Sequence, residues 1–169
     1  LADTGVAAAQ AALDALADDA GATPAARRVD ALVHLALHLT FVAWANGPLR
    51  SLMAGYGGRI TEAADAALAL DPTWDHGAPL RLKGRFLCQA PWPVRDLDES
   101  LALLRRAVEV APLPLHHLFL GDLLWRRGDA DGAIAQWRRV GTAEPDDSTR
   151  AANALHREMA RLRLEAAGR

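Results

Sequence analysis

The chain has 169 residues, a formal net charge of −2 and a composition in which about half of the residues are hydrophobic. Much of that hydrophobic fraction is alanine, aromatic residues are scarce, and runs of valine and isoleucine typical of strands are missing. These features predict an all-α fold, and the near-neutral charge argues against nucleic acid as a partner. The single cysteine, Cys88, cannot form an intramolecular disulfide, so we expect a buried structural thiol.

The N-terminal segment, residues 1–21, carries one apolar stripe at helical spacing. The stripe consists of Val6, Ala9, Leu13 and Leu16, and it ends before Gly21. We expect an N-terminal capping helix here. Because the sequence begins with Leu1 rather than Met, we also expect residues upstream, which leaves the compartment open between cytoplasm and periplasm.

Residues 24–72 carry two apolar helical patterns. Thr23 is a suitable N-cap and Pro24 a suitable first-turn residue for the first pattern, and the second ends before Pro72. The connection between them is longer than a normal turn and leaves room for a short helical turn around residues 49–54. We interpret the segment as a degenerate helical repeat.

The most apolar stretch, residues 31–45, is interrupted by His34, His38 and Thr40. It is shorter than the roughly 20 residues that a bilayer-spanning helix needs, so we expect a buried helix and no transmembrane segment. His34 and His38 are four residues apart, as in a two-histidine metal site, but no glutamate completes the motif. We assign no metal.

Residues 79–112 form the next unit of the pattern. Pro79 suits the first turn of one helix, and a second apolar helix over 97–110 ends before Pro112. About four extra residues are inserted between the two helices, within residues 91–96. A proline on each side of Trp92 holds that residue in an extended loop. We expect the indole to fold onto the helices; if exposed, it is a candidate contact point.

Residues 114–147 show the clearest pattern in the chain, with characteristic residues at His117, Leu120, Gly121, Leu124, Ala133, Trp137 and Pro145. The small residues let two antiparallel helices approach, Trp137 fills the space between them, and Pro145 ends the second helix. His116 precedes His117 on the first turn, and we expect one of this pair to face solvent. The spacing resembles that of the tetratricopeptide repeat (TPR) family.

This resemblance, carried best by residues 79–147, implies an all-α, TPR-like helical-hairpin solenoid of about three repeats with capping helices, forming one domain over 1–169. Residues 148–169 are expected to be the C-terminal capping helix, begun by Asp146, Asp147 and Ser148 and packed through an apolar stripe. That stripe consists of Leu155, Met159 and Leu162.

In TPR proteins the first helix of each repeat lines a concave groove. The resemblance places Leu115 and Cys88 there, together with the residues that we expect to bind a partner: Arg81, Arg85, Gln89, Leu118, Asp122, Trp125 and Arg126. Arginine makes bidentate hydrogen bonds to carboxylates and tryptophan supplies a large anchor surface, so the set would suit an acidic or C-terminal peptide. The alternative is that Trp125 packs inward and that Arg81 and Arg85 only form intramolecular ion pairs with Asp96, Asp98 or Asp122.

No catalytic centre is predicted. The serines and Cys88 lack the motif surroundings of an activated nucleophile, and the glycine-rich segment Gly55 to Gly58 lacks the lysine of a phosphate-binding loop. We therefore expect no enzyme and no cofactor.

The function that the resemblance implies is a non-catalytic scaffold or adaptor that binds a protein partner, with a homo-oligomer as a further possibility. A looser resemblance to the periplasmic T-component of TRAP transporters offers an alternative. It is carried by Gly84-Arg85-Phe86, by Asp98-Glu99-Ser100 and by the segment 106–112. It implies a lipoprotein that assembles with a solute-binding protein and handles a small apolar ligand.

Overall fold

The computed structural model describes residues 2–18, 25–142 and 150–168. Over these ranges the chain forms nine helices and no strand, which confirms the predicted all-α class. The helices are α1 (Ala2–Asp18), α2 (Ala25–Asn46), α3 (Pro48–Met53), α4 (Tyr56–Leu70), α5 (Trp74–Gln89), α6 (Leu97–Val110), α7 (Pro114–Arg126), α8 (Ala130–Thr142) and α9 (Arg150–Ala166).

Several predicted helix ends lie outside the described residues: Gly21, Thr23, Pro24, Pro145, Asp146, Asp147 and Ser148. The short helical turn expected around residues 49–54 is confirmed as α3. The chain divides into two compact units between Arg95 and Asp96, inside the predicted repeat 79–112. The assignment of 1–169 to one repeat domain stays a prediction.

Helix α2 is the centre of the first unit, since α1, α3, α4 and α5 all pack against it. Its buried face includes Val29, Ala36 and Leu39, opposite Ile60 and three buried alanines of α4. Alanines at this contact let two helix backbones approach closely. Helix α1 completes the core through the predicted apolar stripe, of which Ala9 is buried.

Helix α2 is also longer than the apolar run expected at residues 31–45. Over Ala26–Asn46 it is long and apolar enough, by length and composition, to cross a membrane, and 44 % of an 18-residue stretch within it is buried inside the protein. The buried residues of α2 pack against α1 and α4, as those of a core helix do. The exposed remainder includes the C-terminal end of α2, where α3 begins.

The junction between α4 and α5 departs from helical geometry. Asp71 ends α4 and accepts hydrogen bonds from the backbone N and the hydroxyl of Thr73 at 2.8 and 2.7 Å, which lower the pKa of its carboxyl. Asp75, His76 and Gly77 then have positive φ angles, so the regular part of α5 begins beside Pro79, where the sequence predicts it. Beyond this start, α5 buries the only lysine, Lys83, against Asp65 of α4 at 2.5 Å.

In the second unit, α7 packs against α6, α8 and α9. The predicted approach of α7 and α8 is confirmed: a Cβ atom at Gly121 would lie 2.5 Å from the ring of Trp137 and 3.2 Å from the carbonyl oxygen of Ala133. Real Cβ atoms do not come that close to another side chain, so glycine is required at this crossing. The turn between the helices is closed by Gly128, whose φ is 84°.

His116 and His117 are both buried, so the expectation that one of them faces solvent is wrong. His116 Nδ1 lies 3.0 Å from the carbonyl oxygen of Ala107 and 2.7 Å from that of Ala111. Since carbonyl oxygens only accept hydrogen bonds, Nδ1 carries the proton. His116 therefore caps the C-terminal end of α6 from α7.

Helix α9 packs on α7 and α8, but not through the predicted stripe. Leu155 and Leu162 are exposed and Met159 is half-buried, whereas Asn153 and Ala160 are buried. The face of α9 that turns inward also carries Arg163, which is bound by Asp122 of α7.

Candidate functional site

The surface of α7 that faces α9 forms a cavity of about 220 Å³. Helix α7 supplies an acid and an indole, α8 a second indole, and α9 a guanidinium and a methyl group. The lining residues are Asp122, Trp125, Trp137, Arg163 and Ala166. Two of the five, Asp122 and Trp125, belong to the set predicted from the sequence.

The Asp122 carboxylate accepts the polar contacts of two other residues that line this cavity. Its Oδ1 accepts hydrogen bonds from Arg163 Nε and, at 3.2 Å, from Trp137 Nε1, while its Oδ2 accepts from Arg163 Nη2 at 2.9 Å. The guanidinium is thus held in a bidentate pair, the geometry that gives arginine its specificity for carboxylates. Arg163 keeps a quarter of its side chain exposed, and Asp122 keeps 14 %.

Trp125 forms the rim of the cavity. Its ring centroid lies 5.5 Å from that of Trp137, with the two planes tilted by 41°. Trp137 is buried, whereas Trp125 is 46 % exposed. One face of Trp125 therefore rests on the interior and the remainder is available to another molecule, an arrangement typical of an aromatic anchor.

The other two predicted residues on α7 have different environments. Leu118 is fully buried and offers no surface to a partner in this structure, so the groove prediction does not hold for it. The reason is that α7 is enclosed by α6, α8 and α9. Arg126, next to Trp125, is exposed at the end of the helix.

The remaining predicted groove residues lie on α5, in the first unit. Arg81 is paired with Asp75 at 4.0 Å, and burial lowers the pKa of its guanidinium against the opposing effect of that carboxylate. With the amide oxygen of Gln89 turned toward it, Arg85 donates to that oxygen at 2.8 Å. Arg81 therefore forms an intramolecular ion pair, as the alternative predicted, but with Asp75 rather than with Asp96, Asp98 or Asp122. Cys88 is buried, as expected.

Trp92 is 84 % exposed, so the expectation that it folds onto the helices is wrong. Two hydrogen bonds that do not involve the indole hold the loop that carries Trp92. Val94 N donates to the carbonyl oxygen of Pro91 at 3.0 Å, and Arg95 Nε donates to that of Ala90 at 2.8 Å. Val94 also packs against Gly57 in the first turn of α4. These contacts fix the loop and leave the indole outside.

His34 and His38 lie beside a second cleft, between α1 and α2. Their rings are stacked with centroids 6.2 Å apart, and His34 Nε2 is 3.4 Å from a carboxylate oxygen of Asp30. Helix α1 comes close enough that a Cβ at Gly5 would lie 2.4 Å from His38 Nδ1. In the described ranges no cluster of three or more His, Cys, Asp or Glu side chains could hold a metal ion.

Sequence reasoning missed Arg163 and Ala166, which α9 brings to the cavity. In the sequence, Arg163 is one of many charged residues in the C-terminal helix. Nothing in the local pattern distinguishes it from the other arginines there. Arg161, two residues earlier, forms exposed ion pairs with Glu158 and Glu165 of the same helix. Only the packing of α9 on α7 separates these two arginines.

Comparison with models of protein families and with curated proteins finds no match for this sequence. The resemblance to the TPR family, and the looser one to the TRAP T-component, rest on the sequence motifs described above.

Proposed function

We propose that this chain is a non-catalytic protein-binding module of the TPR type, and that its second unit binds a peptide segment of a partner at the cavity between α7 and α9. The observation that carries the proposal is the half-exposed Trp125, which borders a cavity containing a partly exposed arginine–carboxylate pair.

The size of the cavity favours one inserted side chain over a cofactor or metabolite. Its volume of about 220 Å³ is below the roughly 300 Å³ at which small-molecule sites begin. The Trp125 indole and the Ala166 methyl group would contact an apolar side chain. A tryptophan that loses its remaining exposure on binding is the commonest type of hot spot in protein interfaces.

The charges of the cavity favour a carboxylate on the bound segment. Arg163 already binds one carboxylate, that of Asp122, in bidentate geometry, and a quarter of its side chain stays in contact with solvent. Arg163 Nη1 also donates to the carbonyl oxygen of Met159 at 2.9 Å, so a second carboxylate would approach only the part of the guanidinium that stays exposed. The expected ligand is a short segment with one large apolar residue and a terminal or side-chain carboxylate.

The packing of the second unit agrees with the repeat type. Helix α7 contacts its hairpin partner α8, the preceding helix α6 and the following helix α9, and α8 also contacts α9. In a stacked array of helical hairpins, the first helix of each hairpin contacts its neighbours in this way. On this interpretation α9 occupies the place of the next repeat and Arg163 reaches into the groove surface.

The proposal is tested by selection from a display library of random peptides with free C-termini, using the full chain as bait. We expect enrichment of peptides that combine a large apolar residue with a carboxylate. The Trp125→Ala variant should bind a selected peptide about tenfold to a hundredfold more weakly, the range of a hot-spot truncation.

The matched control is Leu155→Ala, which removes an exposed apolar side chain from the same unit but not from the cavity. It should bind the selected peptides as the parent chain does. Failure to enrich any sequence, or equal binding by Trp125→Ala, would show that the cavity is not the docking site.

A further inference from the structure

Helices α2 and α3 expose large apolar side chains at one corner of the first unit. We call this set the corner patch; it consists of Phe41, Trp44, Leu49, Leu52 and Met53. The exposed fraction is 86 % for Trp44, 82 % for Met53 and 72 % for Leu49. Helix α3 buries none of its residues, so its apolar side chains do not serve the core.

Hydrogen bonds hold α3 against the C-terminal end of α2. The hydroxyl of Ser51 donates to the carbonyl oxygen of Ala43 at 2.6 Å, and Gly47 N donates to that of Trp44 at 3.3 Å. These bonds fold α3 back against the end of α2. On α3, the three apolar residues lie at positions i, i+3 and i+4, which share one face of a helix.

Three polar side chains at this corner are hydrogen-bonded to backbone carbonyl oxygens. Besides Ser51, Thr40 donates to the carbonyl oxygen of Ala36 and Asn46 donates to that of Val42, both at 2.8 Å. Moving a hydrogen-bonded polar group out of water is far less unfavourable than moving an unsatisfied one. These three side chains therefore add little to the free-energy cost of moving the corner into a less polar medium.

The charge of the surrounding sequence is one-sided. Between Asp30 and Glu62 the chain has no acidic residue, although Asp and Glu total 21 in the chain, and this stretch contains Arg50 and Arg59. Both arginines are exposed, and neither pairs with an acid in the part of the chain that the structure describes. Arg50 lies within α3 among the apolar residues of the corner patch, and Arg59 lies in the first turn of α4. An apolar surface that carries exposed arginines is complementary to an anionic bilayer, whose phosphates lie above an apolar interior.

We propose that the corner patch docks the first unit onto an anionic phospholipid bilayer. Trp44 would lie at the headgroup level, where tryptophan is enriched, and the leucines and Met53 would enter the acyl boundary. Arg50 and Arg59 would bind lipid phosphates. Stable attachment of a protein to a bilayer surface usually takes two signals. The corner patch supplies an apolar signal, and Arg50 and Arg59 supply a basic one.

This proposal concerns the first unit and does not depend on the peptide site of the second. It treats α2 as a helix that presents its end to the bilayer surface, since the middle of α2 is covered by α1 and α4.

The test is co-sedimentation of the full chain with two kinds of vesicle. One contains phosphatidylcholine and phosphatidylglycerol in equal parts, and the other phosphatidylcholine alone. We expect binding to the anionic vesicles that weakens as salt is added, and much weaker binding to the neutral ones. Arg50→Gln should lower the partition coefficient onto anionic vesicles about fivefold, and Leu49→Ala about tenfold.

Each variant has a matched control in the second unit. Arg138→Gln removes an exposed arginine of α8, and Leu155→Ala an exposed leucine of α9. Both controls should sediment as the parent chain does. Circular dichroism of the four variants should be unchanged, because all four positions are exposed.

Three results would overturn the proposal. The first is no sedimentation with anionic vesicles. The second is binding that Leu49→Ala and Arg50→Gln change no more than their controls do, which would place the lipid contact elsewhere. The third is a dimer of this chain that Leu49→Ala dissociates, with no lipid binding, which would make the corner patch an interface between two copies.

Discussion

Gly121 illustrates how a single residue positions two helices. The pattern of small residues around Trp137 predicts a close crossing of α7 and α8, and the structure places the indole where a Cβ at Gly121 would be. Trp137 then donates its indole N–H to Asp122, so the same contact that closes the core also orients the acid of the cavity. Packing and site geometry are linked at this one position.

We expect Gly121→Ala to destabilise the protein by about 1–3 kcal/mol, since the added methyl group displaces a buried ring. The control is Gly141→Ala, at an exposed position of α8 where a Cβ meets nothing within 4 Å. That change should stabilise the helix by up to about 1 kcal/mol, because alanine loses less backbone entropy. Chemical denaturation measures both; equal effects of the two changes would contradict the packing argument.

His117 gives the second prediction at this scale, a pH dependence. Burial lowers the pKa of its imidazole, Arg139 lowers it further, and the hydrogen bond to Gln136 at 2.8 Å opposes the shift. The unfolded chain therefore binds a proton more readily than the folded one. The resulting stability is fully present above about pH 6.5 and is lost as pH falls from there through the folded pKa.

The measurement is the melting temperature of the parent chain and of His117→Gln between about pH 8 and about pH 5. The variant should lose less stability toward acid than the parent does, since the other histidines contribute equally to both. Parallel curves for the two proteins would show that His117 does not titrate differently on folding.

At the scale of elements, α9 shows what sequence periodicity does not determine. The apolar stripe at Leu155, Met159 and Leu162 predicts the buried face, yet the helix docks through Asn153, Ala160 and Arg163. A pattern indicates that a helix is amphipathic, but the inward face also depends on long-range contacts such as the Asp122–Arg163 ion pair, which the local sequence does not reveal. By contrast α3 was predicted, since the proline and apolar residues after Gly47 are local signals.

The Asp122–Arg163 pair should therefore control how firmly α9 is held. We expect Asp122→Asn to speed backbone hydrogen exchange in α9 about tenfold, because the guanidinium loses a partly buried charged partner. Arg161→Gln is the control: it removes ion pairs that are exposed and lie within α9. Exposed pairs contribute little to stability, so exchange should change little. A larger effect from Arg161→Gln would mean that α9 is held by other contacts.

At the scale of the whole molecule, the helical class followed from composition, and the α7–α8 hairpin from its motif spacing. Only part of the candidate site could be predicted from the sequence. Asp122 and Trp125 were found because the repeat register places them on one surface of α7. Arg163 comes from 41 residues further along the chain, and no local signal connects it to Asp122. Trp92 and Trp44 are exposed against the usual preference of tryptophan, and only packing reveals that.

The five tryptophans allow the central claim to be measured directly, because each gives one indole N–H signal in an NMR spectrum. Trp44, Trp74 and Trp92 lie in the first unit, and Trp125 and Trp137 in the second. A peptide selected on the full chain is titrated into the isotope-labelled protein. We predict shifts of the Trp125 and Trp137 signals, with the other three unchanged. Shifts confined to the first unit would contradict the assignment of the cavity between α7 and α9 as the peptide site.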